Sequence, residues 1–145
     1  MYFGSYEHSL DEKGRLMIPR QLRNGLKDNS PLYILQGFEG CIAVYSEAEF
    51  NKLINECQSI SFNKKNSRDY LRLVLSSVTE LNIDKVGRIQ LPSQTLAKYK
   101  ISKQVTIIGV RDHFEIWDKV TFDKYQKEAN ERFEEIAESL VKENE

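Results

Sequence analysis

The chain has 145 residues, of which 40% are hydrophobic and 30% charged, and its 21 basic and 22 acidic side chains leave a formal net charge of −1. That length and balance describe a soluble globular protein with material for one compact core. No apolar run approaches the ~20 residues of a membrane span, and nothing resembles a signal peptide, so membrane-embedded and secreted classes are excluded as expectations.

Tyr6, His8 and Leu10 alternate with Glu7 and Ser9, a period of two that predicts a half-buried strand ending at Asp11. Asp11-Glu12-Lys13-Gly14 then predicts a tight hairpin turn, with Asp11 accepting from turn amides and Gly14 taking a positive φ. Leu16 and Ile18 form the returning strand, which Pro19 ends because it lacks a ladder donor. Arg15 is thereby placed at the mouth of the hairpin. A short helix or turn follows over 21–26, closed by Gly25 or by Asp28-Asn29-Ser30-Pro31. Strands over 32–36 and 41–45 flank Gly37-Phe38-Glu39-Gly40 as a second hairpin, and Ser46 with Glu49 is a capping box opening a helix whose face is Phe50, Leu53, Ile54 and Cys57. Lys64-Lys65-Asn66-Ser67 interrupts the pattern before a second helix through Tyr70, Leu71, Val74 and Leu75.

The first turn then returns 73 residues later. Asp84-Lys85-Val86-Gly87-Arg88-Ile89-Gln90-Leu91-Pro92 answers to Asp11-Glu12-Lys13-Gly14-Arg15-Leu16-Met17-Ile18-Pro19, and Glu80 and Ile83 answer to Glu7 and Leu10. At an offset of 72 the agreement resumes with Leu35 and Ile107, Gly37 and Gly109, Val44 and Ile116, Tyr45 and Trp117, and Phe50 and Phe122. The second copy therefore predicts strands over 79–83 and 88–91, a helical turn near Leu96, strands over 105–108 and 114–117, and a final helix with one long stripe of Phe122, Tyr125, Ala129, Phe133, Ile136 and Leu140. The organisation expected is a first repeat over 5–50, connecting helices over 51–77, a second repeat over 78–122 and a C-terminal helix over 123–145. A unit of about 45 residues cannot bury a core alone, so the two copies should share one α+β fold with a mainly β core and an approximate two-fold axis.

Charge follows the repeat. Residues 11–23 carry Lys13, Arg15, Arg20 and Arg23 against Asp11 and Glu12, a balance of +2, and 84–100 carry Lys85, Arg88, Lys98 and Lys100 against Asp84, a balance of +3. Residues 123–145 hold eight acidic and four basic side chains, so an acidic terminal helix masks a basic repeat. Cys41 and Cys57 have neither CxxC spacing nor counterparts in the other copy, and read as reduced structural thiols of a cytoplasmic protein. His8 and His113 have no ligand spacing, and no nucleophile elbow or phosphate loop is present, so no catalytic residue, metal or cofactor is expected. Tyr45 and Trp117 could stack on bases, but their equivalent positions at strand ends predict core packing.

Strand, Asp-x-x-Gly-Arg, strand, Pro, short helix and hairpin, given twice over nearly the whole chain, resembles the MraZ family of bacterial transcriptional regulators. Each half is similar to the AbrB/SpoVT type of DNA-binding module, and the resemblance implies a swapped-hairpin β-barrel of two β-β-α-β-β units with flanking helices. It further implies a nucleoid-associated repressor or regulator of its own division and cell-wall gene cluster, working as a ring-shaped homo-oligomer such as an octamer on double-stranded DNA. The sequence departs from a full duplication at Val86, where the first copy has Lys13, and at Leu96, near the position of Arg23.

Arg15 and Arg88 are the candidate base readers, since a hairpin-mouth arginine can meet phosphate or a guanine edge bidentately. Asp11, Gly14, Asp84 and Gly87 are expected to orient the turns, and Lys13, Arg20, Arg23 and Lys85 to position phosphates. A bare cross-hairpin ion pair is the competing account, and it loses weight because the pair is duplicated in basic surroundings. Two other classes stay open from sequence: a ring-forming assembly protein that binds protein or peptide, and an enzyme whose site forms between subunits.

Overall fold

A computed structural model describes residues 1–27 and 29–143. Asp28 of the predicted loop cluster, and Asn144 and Glu145 of the predicted final helix, lie outside the described residues. The elements are β1 (Ser5–Ser9), β2 (Arg15–Met17), α1 (Arg20–Arg23), β3 (Pro31–Gln36), β4 (Ile42–Ser46), α2 (Glu47–Cys57), α3 (Lys65–Ser76), β5 (Thr79–Asn82), β6 (Arg88–Gln90), α4 (Ser93–Lys98), β7 (Gln104–Gly109), β8 (Phe114–Asp118), α5 (Lys119–Glu131) and α6 (Phe133–Glu143).

The result is a mixed α/β fold with an antiparallel six-stranded sheet in the order β1-β7-β8-β4-β3-β5, a separate two-stranded ribbon of β2 and β6, and six helices among the described residues. The sheet order maps onto itself when each strand of one repeat is exchanged for its counterpart. β1 of the first repeat lies on β7 of the second, and β5 of the second lies on β3 of the first. The core is common property. Leu10, Leu16 and Ile18 are buried together with their counterparts Ile83, Ile89 and Leu91 in one cluster, which is how units too small to fold alone exclude water.

Three expectations are corrected. β1 and β2 do not form a ladder with each other, because after the Asp11 turn they diverge, β1 to β7 and β2 to β6. The barrel is not closed among the described residues: β1 and β5 remain the edges of the large sheet. Each ribbon strand has only three residues, with Pro19 or Pro92 following one residue beyond it, and all three pair with the other ribbon strand. Too little strand remains to bridge the two edges.

The third correction concerns the single long C-terminal helix, which is two. At Arg132 the amide bonds the Ala129 carbonyl, three residues back, and the turn tightens before α6 starts. Only the first part of the predicted stripe lies on the sheet side: Phe122 is buried against Trp117 and Cys41, whereas Phe133 and Leu140 are exposed. Ser46 and Asp118 occupy equivalent positions, and each caps the helix that follows it, accepting from the amides of Glu49 and Thr121.

Candidate nucleic-acid interface

The ribbon is fixed by three register pairs, Arg15 with Gln90, Leu16 with Ile89, and Met17 with Arg88. Leu16 and Ile89 are fully buried. Because strand side chains alternate between faces, Arg15, Met17, Arg88 and Gln90 then share the opposite, outer face. Two arginines thus sit diagonally on a short antiparallel ribbon, related by the same pseudo-two-fold axis that relates the repeats.

Each arginine is held by its own turn. The Asp11 Oδ1 accepts from the amides of Lys13 at 2.9 Å and Arg15 at 2.8 Å, while Oδ2 accepts from Arg15 Nε at 2.6 Å. Asp84 repeats the pattern with the amides of Val86 at 3.0 Å and Arg88 at 2.8 Å, and with Arg88 Nε at 2.9 Å. The Arg15 amide above all, joined by its guanidinium, holds the Asp11 carboxyl below the ordinary aspartate range, and Arg88 does the same for Asp84. Each guanidinium meets its aspartate through Nε, and among the described residues the Nη donors of Arg15 and Arg88 make no hydrogen bond. The turns themselves need Gly14 and Gly87, at φ +76° and +96°. Each turn is also tied to the other repeat: the Ile18 amide donates to the Gly87 carbonyl and the Leu91 amide to the Gly14 carbonyl, both at 2.9 Å.

The remaining predicted residues fall into different settings. Lys13, Arg20 and Lys85 are exposed. Arg23 is half-buried, donates from Nε to the Ile18 carbonyl at 2.8 Å, and lays its guanidinium over Gly87 of the second repeat. In the mirrored place Leu96 lies over Gly14. The two flanks of the ribbon therefore differ: one has a polar cleft of about 260 Å³ lined by Arg20, Arg23, Lys27 and Gly87, and the other a cleft of about 310 Å³ lined by Asp11, Glu12, Leu96 and Lys103. Lys98 lies over the Tyr99 ring, 5.3 Å from its centroid. Met17 and Gln90 were not singled out from sequence, although the alternation around Leu16 and Ile89 carried the signal. Gln90 also steadies the first turn, donating from Nε2 to the Lys13 carbonyl at 3.1 Å.

Away from the ribbon, Trp117 is buried and donates to Glu115 at 3.0 Å, while Tyr45 stacks on His113 at 4.4 Å between ring centroids. Cys41 is fully buried, which pushes its thiol upward, and Cys57 is half-buried; both are free. Among the described residues no helix is long and apolar enough to cross a membrane.

The family model described as "MraZ protein, putative antitoxin-like" matches residues 1–73 and again residues 74–144. The chain belongs to the MraZ family. Each match contains one Asp-x-x-Gly-Arg turn and one ribbon strand. Among relatives named "Transcriptional regulator MraZ", that of Mesoplasma florum is 40% identical over 97% of this chain and 95% of its own length. That of Lactobacillus helveticus is 39% identical over 97% and 96%, and that of Desulforamulus reducens 34% identical over 97% and 98%. Membership of the MraZ family thus extends over both repeats and the terminal helices.

Proposed function

We propose that the chain is a sequence-specific DNA-binding transcriptional regulator that reads duplex DNA with the outer face of its ribbon. The observation that carries this reading is the pair Arg15 and Arg88, each aligned by an aspartate and related by one pseudo-two-fold axis. A two-stranded ribbon fits the ~12 Å width of the major groove, where an arginine meets guanine O6 and N7 together. Gln90 and Met17 lie between the arginines and supply an amide and an apolar contact. Lys13, Lys85 and Arg20 hold phosphates, and Arg23 braces the second turn from the polar flank. In this reading the repeats 5–50 and 78–122 act as interleaved halves of one swapped-hairpin unit, and the target is the promoter of its own division and cell-wall genes, which it represses at the nucleoid.

One ribbon offers a footprint too small for the ~10⁻⁸ M or tighter affinity usual of a specific regulator. A ring-shaped homo-oligomer would place several ribbons on successive repeats and raise affinity by roughly 10²–10⁴ through effective concentration. Repeats spaced near a helical turn of ~10 bp would present the same groove each time.

The test is binding to duplexes from the gene's own upstream region at two salt concentrations. One repeat should bind weakly, added repeats in phase should strengthen binding steeply, and half a turn inserted between them should remove the gain. Binding indifferent to sequence and to salt would overturn the proposal.

A further inference from the structure

The pseudo-two-fold axis that relates Arg15 to Arg88 fails on the two flanks of the ribbon, and it fails in charge. The cleft beside the second turn is lined by Arg20, Arg23 and Lys27 together with Asn24 and Gly87, and no acidic side chain reaches it among the described residues. Its mirror beside the first turn is lined by Asp11 and Glu12 against Lys103, with Leu96 in the place of Arg23. The turns widen the difference, because Lys85 of the second stands where the first has Glu12. Arg20, Arg23 and Lys27 form no ion pair among the described residues. Like charges gathered in one cleft repel one another, and an anion between them removes that cost.

Arg23 is the fixed member of the group. Its Nε donates to the Ile18 carbonyl at 2.8 Å, and its guanidinium covers Gly87, the residue before Arg88. Among the described residues its Nη groups make no hydrogen bond. Arg20 and Lys27 are exposed and close the cleft from the solvent side. A ribbon lying in a major groove has one sugar-phosphate backbone along each flank. In the docking proposed above, the two clefts therefore face opposite strands: the phosphates of one strand meet three cations, and those of the other meet two carboxylates and a leucine.

We infer that the cleft of Arg20, Arg23 and Lys27 is a one-sided phosphate clamp, which grips a single backbone phosphate of the strand beside the second turn while the mirrored cleft grips none. The inference rests on the DNA reading proposed above and adds to it a site on one flank only. A guanidinium presents its donors as a planar fork that matches phosphate oxygens, and one already pinned through Nε loses little freedom when it binds. Because the same guanidinium covers Gly87, a phosphate held on Arg23 also steadies the second turn and the Arg88 that follows it. The first turn has no such handle: Gln90 steadies it by donating to the Lys13 carbonyl, and Leu96 packs over Gly14.

Methylphosphonate substitution, which removes the charge of one phosphate at a time, tests this with the full-length chain on a one-repeat duplex from the gene's upstream region. Scanned along both strands, wild type should lose affinity roughly tenfold at one phosphate, or at two adjacent ones, of a single strand, and little at the positions related by the two-fold axis. Arg20→Gln with Lys27→Gln changes two exposed positions and leaves Arg23 on Gly87. That variant should bind the unmodified duplex more weakly and show a smaller penalty at that phosphate, and adding Arg23→Gln should abolish the penalty. Lys103→Gln, in the mirrored cleft, should leave the scan unchanged, and circular dichroism checks the fold of each variant. The inference is overturned if both strands show equal penalties at two-fold related phosphates, if the double variant keeps the full penalty, or if Lys103→Gln weakens binding as much as the double variant does. Arg15→Ala with Arg88→Ala reads the ribbon separately. Loss of base preference in that variant, beside a symmetric scan of wild type, would overturn the clamp and leave the DNA reading standing, whereas a wild type that binds no duplex would overturn both.

Discussion

Leu16 lies directly across the ribbon ladder from Ile89, and both side chains are buried in the core that the two repeats share. The pair sits where the pseudo-two-fold axis crosses the ribbon. It forces Arg15 and Arg88 to the other face, so the core contact and the presentation of the arginines are one arrangement. Replacing Leu16 or Ile89 with Ala should cost about 2–5 kcal/mol through lost burial and the cavity left behind. Because the core is common, urea unfolding followed by Trp117 fluorescence and by far-ultraviolet circular dichroism should give one coincident transition. Two separated transitions would mean that the halves fold independently.

The aspartates give a prediction opposite in sign to simple electrostatics. Asp11→Asn with Asp84→Asn removes two negative charges beside the proposed duplex, and a non-specific account expects tighter binding. An Asn oxygen can still accept from the turn amides but no longer forms an ion pair with Nε of Arg15 or Arg88. Specific binding should therefore weaken while binding to random duplex rises, as competition titrations would show. A gain in both contradicts the alignment role.

The same carboxyls make stability depend on pH. Their values in the folded chain lie below the ordinary 3.8, held there first by the amides of Arg15 and Arg88. Their contribution is complete above the unfolded value and lost as pH falls through the lowered folded value. The thermal midpoint of wild type should exceed that of the Asp11→Asn, Asp84→Asn variant at about pH 6, and the gap should shrink below about pH 4. A gap that stays constant across that range would assign the difference to something other than ionised Asp11 and Asp84.

Gly14→Ala and Gly87→Ala should both destabilise by more than about 1 kcal/mol, because alanine is strained at positive φ. Their consequences should differ. A methyl at Gly87 strikes the Arg23 guanidinium, which a flexible side chain can relieve, whereas one at Gly14 meets the Leu91 carbonyl at 3.0 Å. Gly14→Ala should be the more damaging in chemical denaturation, and Arg23→Ala should restore part of the stability lost in Gly87→Ala but none in Gly14→Ala. Equal losses with no rescue would contradict the observed packing of Arg23.

Much of this was legible in the sequence because the repeat doubled every local signal. The Asp-x-x-Gly turns, the second hairpin around Gly37 to Gly40 and the Ser46 cap are chemistry of neighbouring residues, and such rules read short range well. What failed was long range. No local rule says that β2 leaves β1 to pair with β6, nor that Arg23 crosses to Gly87 of the other repeat while Leu96 takes its mirrored place. The break at Arg132 was hidden for a related reason: the apolar spacing runs through it, and spacing alone does not show whether a stripe has anything to lie on. Met17 and Gln90 could have been found from strand alternation, once Leu16 and Ile89 were known to face inward.

The most direct test of the account is the affinity of wild type and of Arg15→Ala, Arg88→Ala and the double variant for an upstream duplex with in-phase repeats, each against a scrambled duplex of equal length. Surface arginines rarely support stability strongly, so all variants should keep their fold and oligomeric size. Each single variant should lose most of the discrimination between the two duplexes, and the double variant should bind both alike, with the residual salt-dependent affinity of Lys13, Lys85 and Arg20. A double variant that still prefers the upstream duplex as strongly as wild type would contradict the claim that this ribbon reads DNA.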